Sequence, residues 1–397
     1  LPLRKIHRMV RFSLFLFLLT SLTATTVYSQ LVAGPMLGVI ELRDAKIWAE
    51  VSPSVSKAAI RVNKKGETVS RIINYKGELG KDFNPITFTV GGLEPNTTYE
   101  YVILTNDKAT KASGEFTTKK LWQWREPAPD FSFLAGSCSY FNEPIYDRPG
   151  NAYGKDSSIF ESMSKEKAAF MIWLGDAWYT REVDYFSEWG LWYRASKDRS
   201  TPILQPFLKS MTQVGIWDDH DFGPNDAVGS FPHKDKTLDA FKLFWGNNGY
   251  GVNGNPGITG FFKYNDIDFI LLDDRYHRAP NDLIDSSKTF FGKKQFTWLK
   301  DRLLNSSAPF KIVINGNQTI NANNPYEGFN HYYNEQKELI DFIKKQKIEG
   351  VVFFSGDRHH TELLKLEQAE MYPLYEFTNS PLTSGYNAYL SENELKN

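Results

Sequence analysis

Between residues 31 and 120 apolar and polar positions alternate over short runs: 45-AKIWAEV-51, 58-AAIRVN-63, 86-ITFTV-90, 98-TYEYVIL-104 and 114-GEFTT-118. Gly, Asn and Pro punctuate them at close intervals. Alternation with a period of two predicts strands with one covered face, and this spacing predicts an antiparallel β-sandwich over 31–120. Residues 121–130, LWQWREPAPD, carry Pro and large aromatics and read as a linker. From Phe131 to the end of the chain the pattern changes. Apolar runs at 131-FSFLAGSC, 168-AAFMIWLGD, 213-QVGIWDDHD, 257-GITGFFKYN, 267-IDFILLDDR, 311-KIVINGNQ and 350-GVVFFSGDRHH alternate with stretches of helical period. The latter are 157-SSIFESMSKEKA, 236-KTLDAFKLFW, 293-KKQFTWLKDRL and 335-EQKELIDFIKKQ. Strands alternating with helices predict an α/β unit over 131–397.

Composition adds little to this picture until the N-terminus is considered. Hydrophobic residues make up 41% of 397, with 15% aromatics, which fits a packed globular chain of two domains. Arg4, Lys5, Arg8 and Arg11 precede the apolar run 12-FSLFLFLL-19, and 27-VYS-29 supplies small residues before Gln30. That order predicts a secretory signal peptide over 1–29, hence a secreted or periplasmic protein; the run is too short to span a bilayer. Removing 1–29 takes away four cations and no acid from a chain with 46 lysines and arginines against 47 acids, so the remainder is net negative. Such a surface argues against nucleic-acid polymers and anionic membranes as partners and leaves small molecules, with a monomer as the expected state. The single cysteine, Cys138, cannot form an internal disulfide.

The polar residues of the α/β unit fall at strand ends: 136-GSCSY-140, 175-GDAWY-179, 217-WDDHDFGPND-226, 273-DDRYHR-278, 315-NGNQT-319 and 356-GDRHH-360. Any one alone reads as a turn, a solvated pair of acids or a hydrogen-bonded surface histidine. Together they place many acids on the edge where α/β sheets build their sites, and like charges gathered there call for a cation.

Gly-Asp-x-x-Tyr at 175–179 resembles a metallophosphoesterase motif. Purple acid phosphatases share it behind a fibronectin-like domain, and 92-GLEPNTTYEYVI-103 looks like part of such a module. That branch, however, carries Asp in its first motif, Gly-Asn-His in its third and Gly-His-x-His in its last. Cys138, 217-WDDH-220, 273-DDR-275, 356-GDRH-359 and 379-NSPLTSG-385 resemble the alkaline phosphatase D family instead. The likeness covers about 35–386. It implies a four-layer αββα metallophosphoesterase sandwich preceded by an immunoglobulin/fibronectin-III-like all-β domain. It further implies a secreted hydrolase of phosphate mono- or diesters with an Fe(III)/Ca(II)-type centre.

On that resemblance Cys138, Asp176, Tyr179 and His359 hold a ferric ion, and anionic sulfur and oxygen donors suit such an ion. Asp176 bridges to calcium, for which Asp219, Asp357 and the amide of Gln318 or Asn317 are the candidates. Asp218 and Asn225 join that site or a third ion. His220 aligns with the histidine that stabilises the leaving oxygen, or stands behind the ligands. Arg275 clamps a phosphate oxygen, or forms a structural pair with Asp273 or Asp274. His360 is excluded because neighbouring strand-end side chains point opposite ways. The stretch 178–195 packs seven aromatics into eighteen residues, read as core packing or as an aromatic wall for the organic half of a diester. Monoesterase, diesterase with phospholipase-like activity, and an inactive secreted binding protein that works through its sandwich all remain open.

Overall fold

The computed structural model describes residues 30–386; the leader expected over 1–29 lies outside the described residues. Three sheets organise the chain. The first runs in the order β5 (Asn84–Gly91), β2 (Asp44–Val51), β1 (Leu31–Ile40), β10 (Thr212–Ile216), β9 (Phe170–Leu174), β8 (Leu134–Gly136). The second runs β11 (Gly260–Tyr264), β12 (Ile267–Leu271), β13 (Lys311–Ile314), β14 (Val351–Ser355), β16 (Leu374–Thr378), β15 (Glu362–Leu366). A four-stranded sheet, β4 (Ser70–Asn74), β3 (Ala58–Lys64), β6 (Thr98–Thr105), β7 (Lys108–Thr117), covers the first sheet's N-terminal strands.

The strands expected in 31–120 are present, but the boundary expected at 121–130 does not separate the sheets. β1 pairs antiparallel with β2 on one side and parallel with β10 on the other, with Leu37 opposite Thr212. Alternate residues along β1 and β2 therefore serve two cores. Leu37, Ile47 and Val51 pack with Ile60, Val62 and Phe116, whereas Met36 and Trp48 face the α/β unit. β1 escapes a reading of periodicity because Gly34-Pro35 interrupts it, a pair that ordinarily argues against a strand. The register shifts at that point let the strand continue.

Within the α/β unit the two sheets face each other. Phe170 of β9 meets Phe269 of β12 edge-on at 5.2 Å, and Phe133 packs against Phe354 at 5.5 Å. Met171 and Trp173 point the other way, toward helices α1 (Ile159–Met163), α3 (Leu204–Ser210) and α5 (Lys234–Phe244); Trp173 stacks on Phe160 at 6.0 Å. On the far side of the second sheet, α6 (Lys293–Asn305) and α7 (Tyr333–Lys345) bury Phe296, Leu299 and Leu303, and Leu339 and Ile343, one helical stripe each, against Ile270, Val313 and Phe353. Helix, sheet, sheet, helix is the four-layer order expected for this unit. Two further helices complete the unit. α2 (Glu188–Arg199) is N-capped by the Ser187 hydroxyl, which accepts from Gly190 N at 3.0 Å, and the single turn α4 (Asp219–Phe222) follows β10. No helix among the described residues is long and apolar enough to cross a membrane.

Candidate metal centre

Cys138, Asp176, Asp218 and Asp357 each lie two residues past the end of β8, β9, β10 and β14 respectively. The two parallel sets of strands thus deliver them to one edge. The turns that do so are conformationally costly: φ is +60° at Cys138, +54° at Asp176, +65° at Asp357 and +57° at His359. Left-handed backbone at non-glycine residues persists only where surrounding structure enforces it, and such residues cluster at functional sites. Glycines let the turns pass close together. A Cβ on Gly175, at φ +97°, would lie 2.5 Å from the Asp218 Cβ, and one on Gly356 would lie 2.6 Å from Leu174 O and Ser137.

Four of the expected ligands meet. One ligand atom each from Cys138, Asp176 and His359 lies within 4.8 Å of the others. The Tyr179 hydroxyl is 3.1 Å from Asp176 Oδ2 and 3.5 Å from His359 Nε2. Burial drives the Cys138 thiol up to about 11, and burial followed by neighbouring anions raises Asp176 and Tyr179 well above their ordinary values. Proton-bearing or not, these groups are donors facing one point, and a cation there would reverse the repulsion between them. The donor chemistry fits a hard, highly charged ion. His359 is oriented for ligation, because its Nδ1 contacts the Gly385 carbonyl and the ring's Nε2 faces the tyrosine. That bond fixes the tautomer in which Nε2 carries the lone pair.

The 379–385 segment straps the first and last of these loops together. The Ser380 hydroxyl lies 3.0 Å from Cys138 Sγ and accepts from His359 N at 3.0 Å; Leu382 N donates to Ser137 O, and Thr383 N and Ser384 N donate to Cys138 O.

A second group of acids adjoins the first. Asp176, Asp219 and His220 bring one ligand atom each within 4.8 Å, and Asp219 Oδ2 accepts from Asp226 N at 2.7 Å. Both groups open onto a cleft of about 760 Å³ lined by Asp176, Asp219, His220, Asp357, His359 and, at the rim, Asn225. The His220 ring packs on that of Tyr179 at 4.2 Å, tilted by 30°, and its Nδ1 has no hydrogen-bond partner among the described residues.

The profile of the PhoD-like phosphatase family matches residues 258–396. Over that stretch the chain resembles PhoD-like phosphatases. It is 22% identical to alkaline phosphatase D of Bacillus subtilis (strain 168) over 408 residues, covering 86% of this chain and 67% of the relative. The solved structure of PhoD superposes with a TM-score of 0.73 at 18% identity, covering 90% of this chain and 78% of the other. Purple acid phosphatase PPD1 from yellow lupin (Lupinus luteus) seeds superposes at 0.62 with 10% identity, over 90% and 66%. Both structural likenesses show a shared metallophosphoesterase-like α/β fold.

Three expected site residues are placed differently from the sequence reading. Arg275 does not reach the cleft. It is fully buried, with Nε 2.6 Å from Asp218 Oδ1, Nη1 3.0 Å and Nη2 2.6 Å from the two Glu327 oxygens, and Nη1 also on Ala227 O. With every nitrogen engaged by protein, the guanidinium is a structural tie, the alternative expected for it; its partners are Asp218 and Glu327, with Asp274 at 3.9 Å, rather than Asp273. Asp273 accepts from Ile258 N, Tyr276 N and Trp217 Nε1. Asp218 is correspondingly committed to Arg275 and to Asn317 Nδ2 at 3.1 Å, behind the ligand layer. Gln318 is not a ligand either. Its amide nitrogen serves Glu362 and Thr378 and its oxygen accepts from Asn321, while the Asn317 oxygen accepts from Arg278 at 2.6 Å. His360, excluded from the ligand set, sits 3.1 Å from Glu362.

Three further residues escape sequence reasoning. Asp221 accepts from the backbone N–H groups of Asp176, Ala177, Trp178 and Asp218, and so holds the two ligand turns in place. It reads in sequence as the third acid of 218-DDHD-221, indistinguishable from a ligand. Asp221→Ala leaves four buried donors without an acceptor and is expected to cost roughly 3 kcal/mol or more, read as a fall in the urea midpoint. Glu327, the one acid between Asn315 and Asn334, comes from a loop with no strand-end signal, yet groups with Asp218 and Asp219. Arg358 lines the cleft with its guanidinium 4.8 Å over the Tyr326 ring, although strand alternation places it away from Asp357 and His359. Strand alternation fails there because β14 has ended at Ser355.

Proposed function

We propose that this PhoD-like chain is an exported, metal-dependent phosphoesterase that hydrolyses small phosphate mono- or diesters. The observation that carries the reading is the convergence of Cys138, Asp176, Tyr179 and His359 on one point of an open cleft, three of them with left-handed backbone. Cys138, Asp176, Tyr179 and His359 would hold a ferric ion. Asp176, Asp219 and Asp357 would offer oxygen to calcium, with Asn225 at the rim as a further carbonyl donor. Bound, such a pair supplies positive charge for the phosphate oxygens and a hydroxide nucleophile at neutral pH.

The chain's own residues then do the rest. Lys155 and Arg358 line the cleft and present the cationic groups that Arg275 does not. They would hold the non-bridging oxygens of the ester and its transition-state charge. His220, fixed between the Tyr179 ring and Asp219, is placed to hydrogen-bond the leaving oxygen. The basic-then-apolar opening over 1–29 supports export, and the alternating strands of 31–120 support a fibronectin-III-like sandwich fused to the catalytic unit through β1.

The test is a panel of mono- and diesters assayed on protein of measured metal content. Hydrolysis that tracks iron and calcium content supports the reading, and metal-replete protein inert toward every ester sinks it. The ferric assignment has its own readout. Tyr179→Phe is expected to abolish a tyrosinate-to-iron absorption band in the visible spectrum of the iron-loaded protein, and a band that survives the change would move the tyrosine out of the ligand set.

A further inference from the structure

A second cavity, of about 260 Å³, opens beside the metal cleft. The two share a wall: Tyr153, His220 and Asn225 line both. Tyrosine rings form much of the remaining wall. Tyr140, Tyr153 and Tyr179 meet edge to face, at 5.0 Å for Tyr140–Tyr179 and 4.9 Å for Tyr140–Tyr153, and half-buried Tyr185 adds a fourth ring. The polar groups of Tyr140, Thr180 and Arg181 in these walls are spoken for. The Tyr140 hydroxyl donates to Asp147 at 2.7 Å, Thr180 Oγ1 to His220 O at 3.1 Å, and buried Arg181 bonds Tyr179 O and Phe141 O. Arg181 also lies 4.1 Å over the Tyr140 ring and so stiffens the wall. The solvent-exposed charges lie at the rim, where Arg148 pairs with Glu182 at 2.9 Å.

A cavity that shares its His220 wall with the metal cleft is where the organic part of an ester would extend if its leaving oxygen sits at His220. Ring faces with committed polar ends offer stacking and apolar contact but few free partners for hydroxyls. A polyol placed there would lose hydrogen bonds to water without replacing them, whereas a flat ring would not. We propose that this cavity is the leaving-group subsite and that it selects a flat aromatic or heteroaromatic group over a glycerol- or sugar-like one. The proposal rests on the phosphoesterase reading above and deepens it.

The experiment uses the full, metal-loaded chain and two probes, phenylphosphonate and methylphosphonate, with affinities measured by calorimetry. Wild-type protein should bind the phenyl compound more tightly. Tyr185→Ala should weaken phenylphosphonate about tenfold and leave methylphosphonate within about twofold, and Tyr185→Phe should restore the phenyl preference. In parallel, the ratio of variant to wild-type kcat/KM should fall for phenyl phosphate and stay near one for glycerol phosphate. Equal weakening of both phosphonates, or of neither, overturns the subsite while leaving ester hydrolysis intact. Wild-type protein that binds neither probe and cleaves no ester overturns the phosphoesterase reading and the subsite with it.

Discussion

Asp176→Asn is expected to lower hydrolysis of bis-p-nitrophenyl phosphate by roughly 10³-fold, the scale seen when a preorganised charge is removed from a transition-state site. Asp176 is the carboxylate common to the group with Cys138 and His359 and the group with Asp219 and His220. Its Oδ2 receives the Tyr179 hydroxyl and lies 3.4 Å from Cys138 Sγ, and its Oδ1 accepts from His220 N at 3.3 Å. An amide keeps the size and one oxygen but loses the charge and the ability to bridge two cations. Metal content measured after purification should fall alongside the rate. Unchanged hydrolysis with full metal content would remove Asp176 from the centre and with it the basis of the functional reading.

Arg275→Met is expected to destabilise the fold by about 3–5 kcal/mol, the usual cost of removing one partner from a buried ion cluster. The guanidinium sits between Asp218, Glu327 and, at 3.9 Å, Asp274, all buried. Without it three buried carboxylates lose their cation and repel one another. Urea unfolding reads the effect, and the residual folded protein should keep its KM for small esters, since the arginine does not line the cleft. A variant of unchanged stability with KM raised tenfold would instead place Arg275 on the phosphate.

These two residues mark where sequence stops being informative. Asp176 could be assigned because Gly175-Asp176-x-x-Tyr179 is a local pattern: a strand end, a glycine for the close turn, an acid, and a tyrosine three residues on. Arg275 could not. It too follows a strand end behind two acids, and nothing local separates an arginine facing a cleft from one buried between sheets. The deciding partner, Glu327, lies 52 residues away in a loop of asparagines. Asp221 and Asp218 pose the same difficulty. Within 218-DDHD-221 every acid is a plausible ligand, and only the path of the single-turn helix Asp219–Phe222 turns Asp219 toward the cleft and Asp221 toward the backbone of residues 176–178.

The sequence by itself determined the α/β alternation that begins at Phe131, most of its described strands and helices, and the donor types at four strand ends. Those are set by short-range periodicity and turn chemistry, which a linear pattern carries. Tertiary structure alone decided three things. It joined strand Leu31–Ile40 to Thr212–Ile216, so that one sheet runs through what composition divides in two. It took Arg275, Gln318 and Asp218 out of the cleft and brought Arg358 and Glu327 toward it. It also built an aromatic cavity from Tyr140, Tyr153, Tyr179 and Tyr185 beside the metal ligands. The reason is common to all three: direction and partner beyond a strand end depend on loops packed from distant parts of the chain, where buried charges and ring contacts rather than local periodicity fix the arrangement.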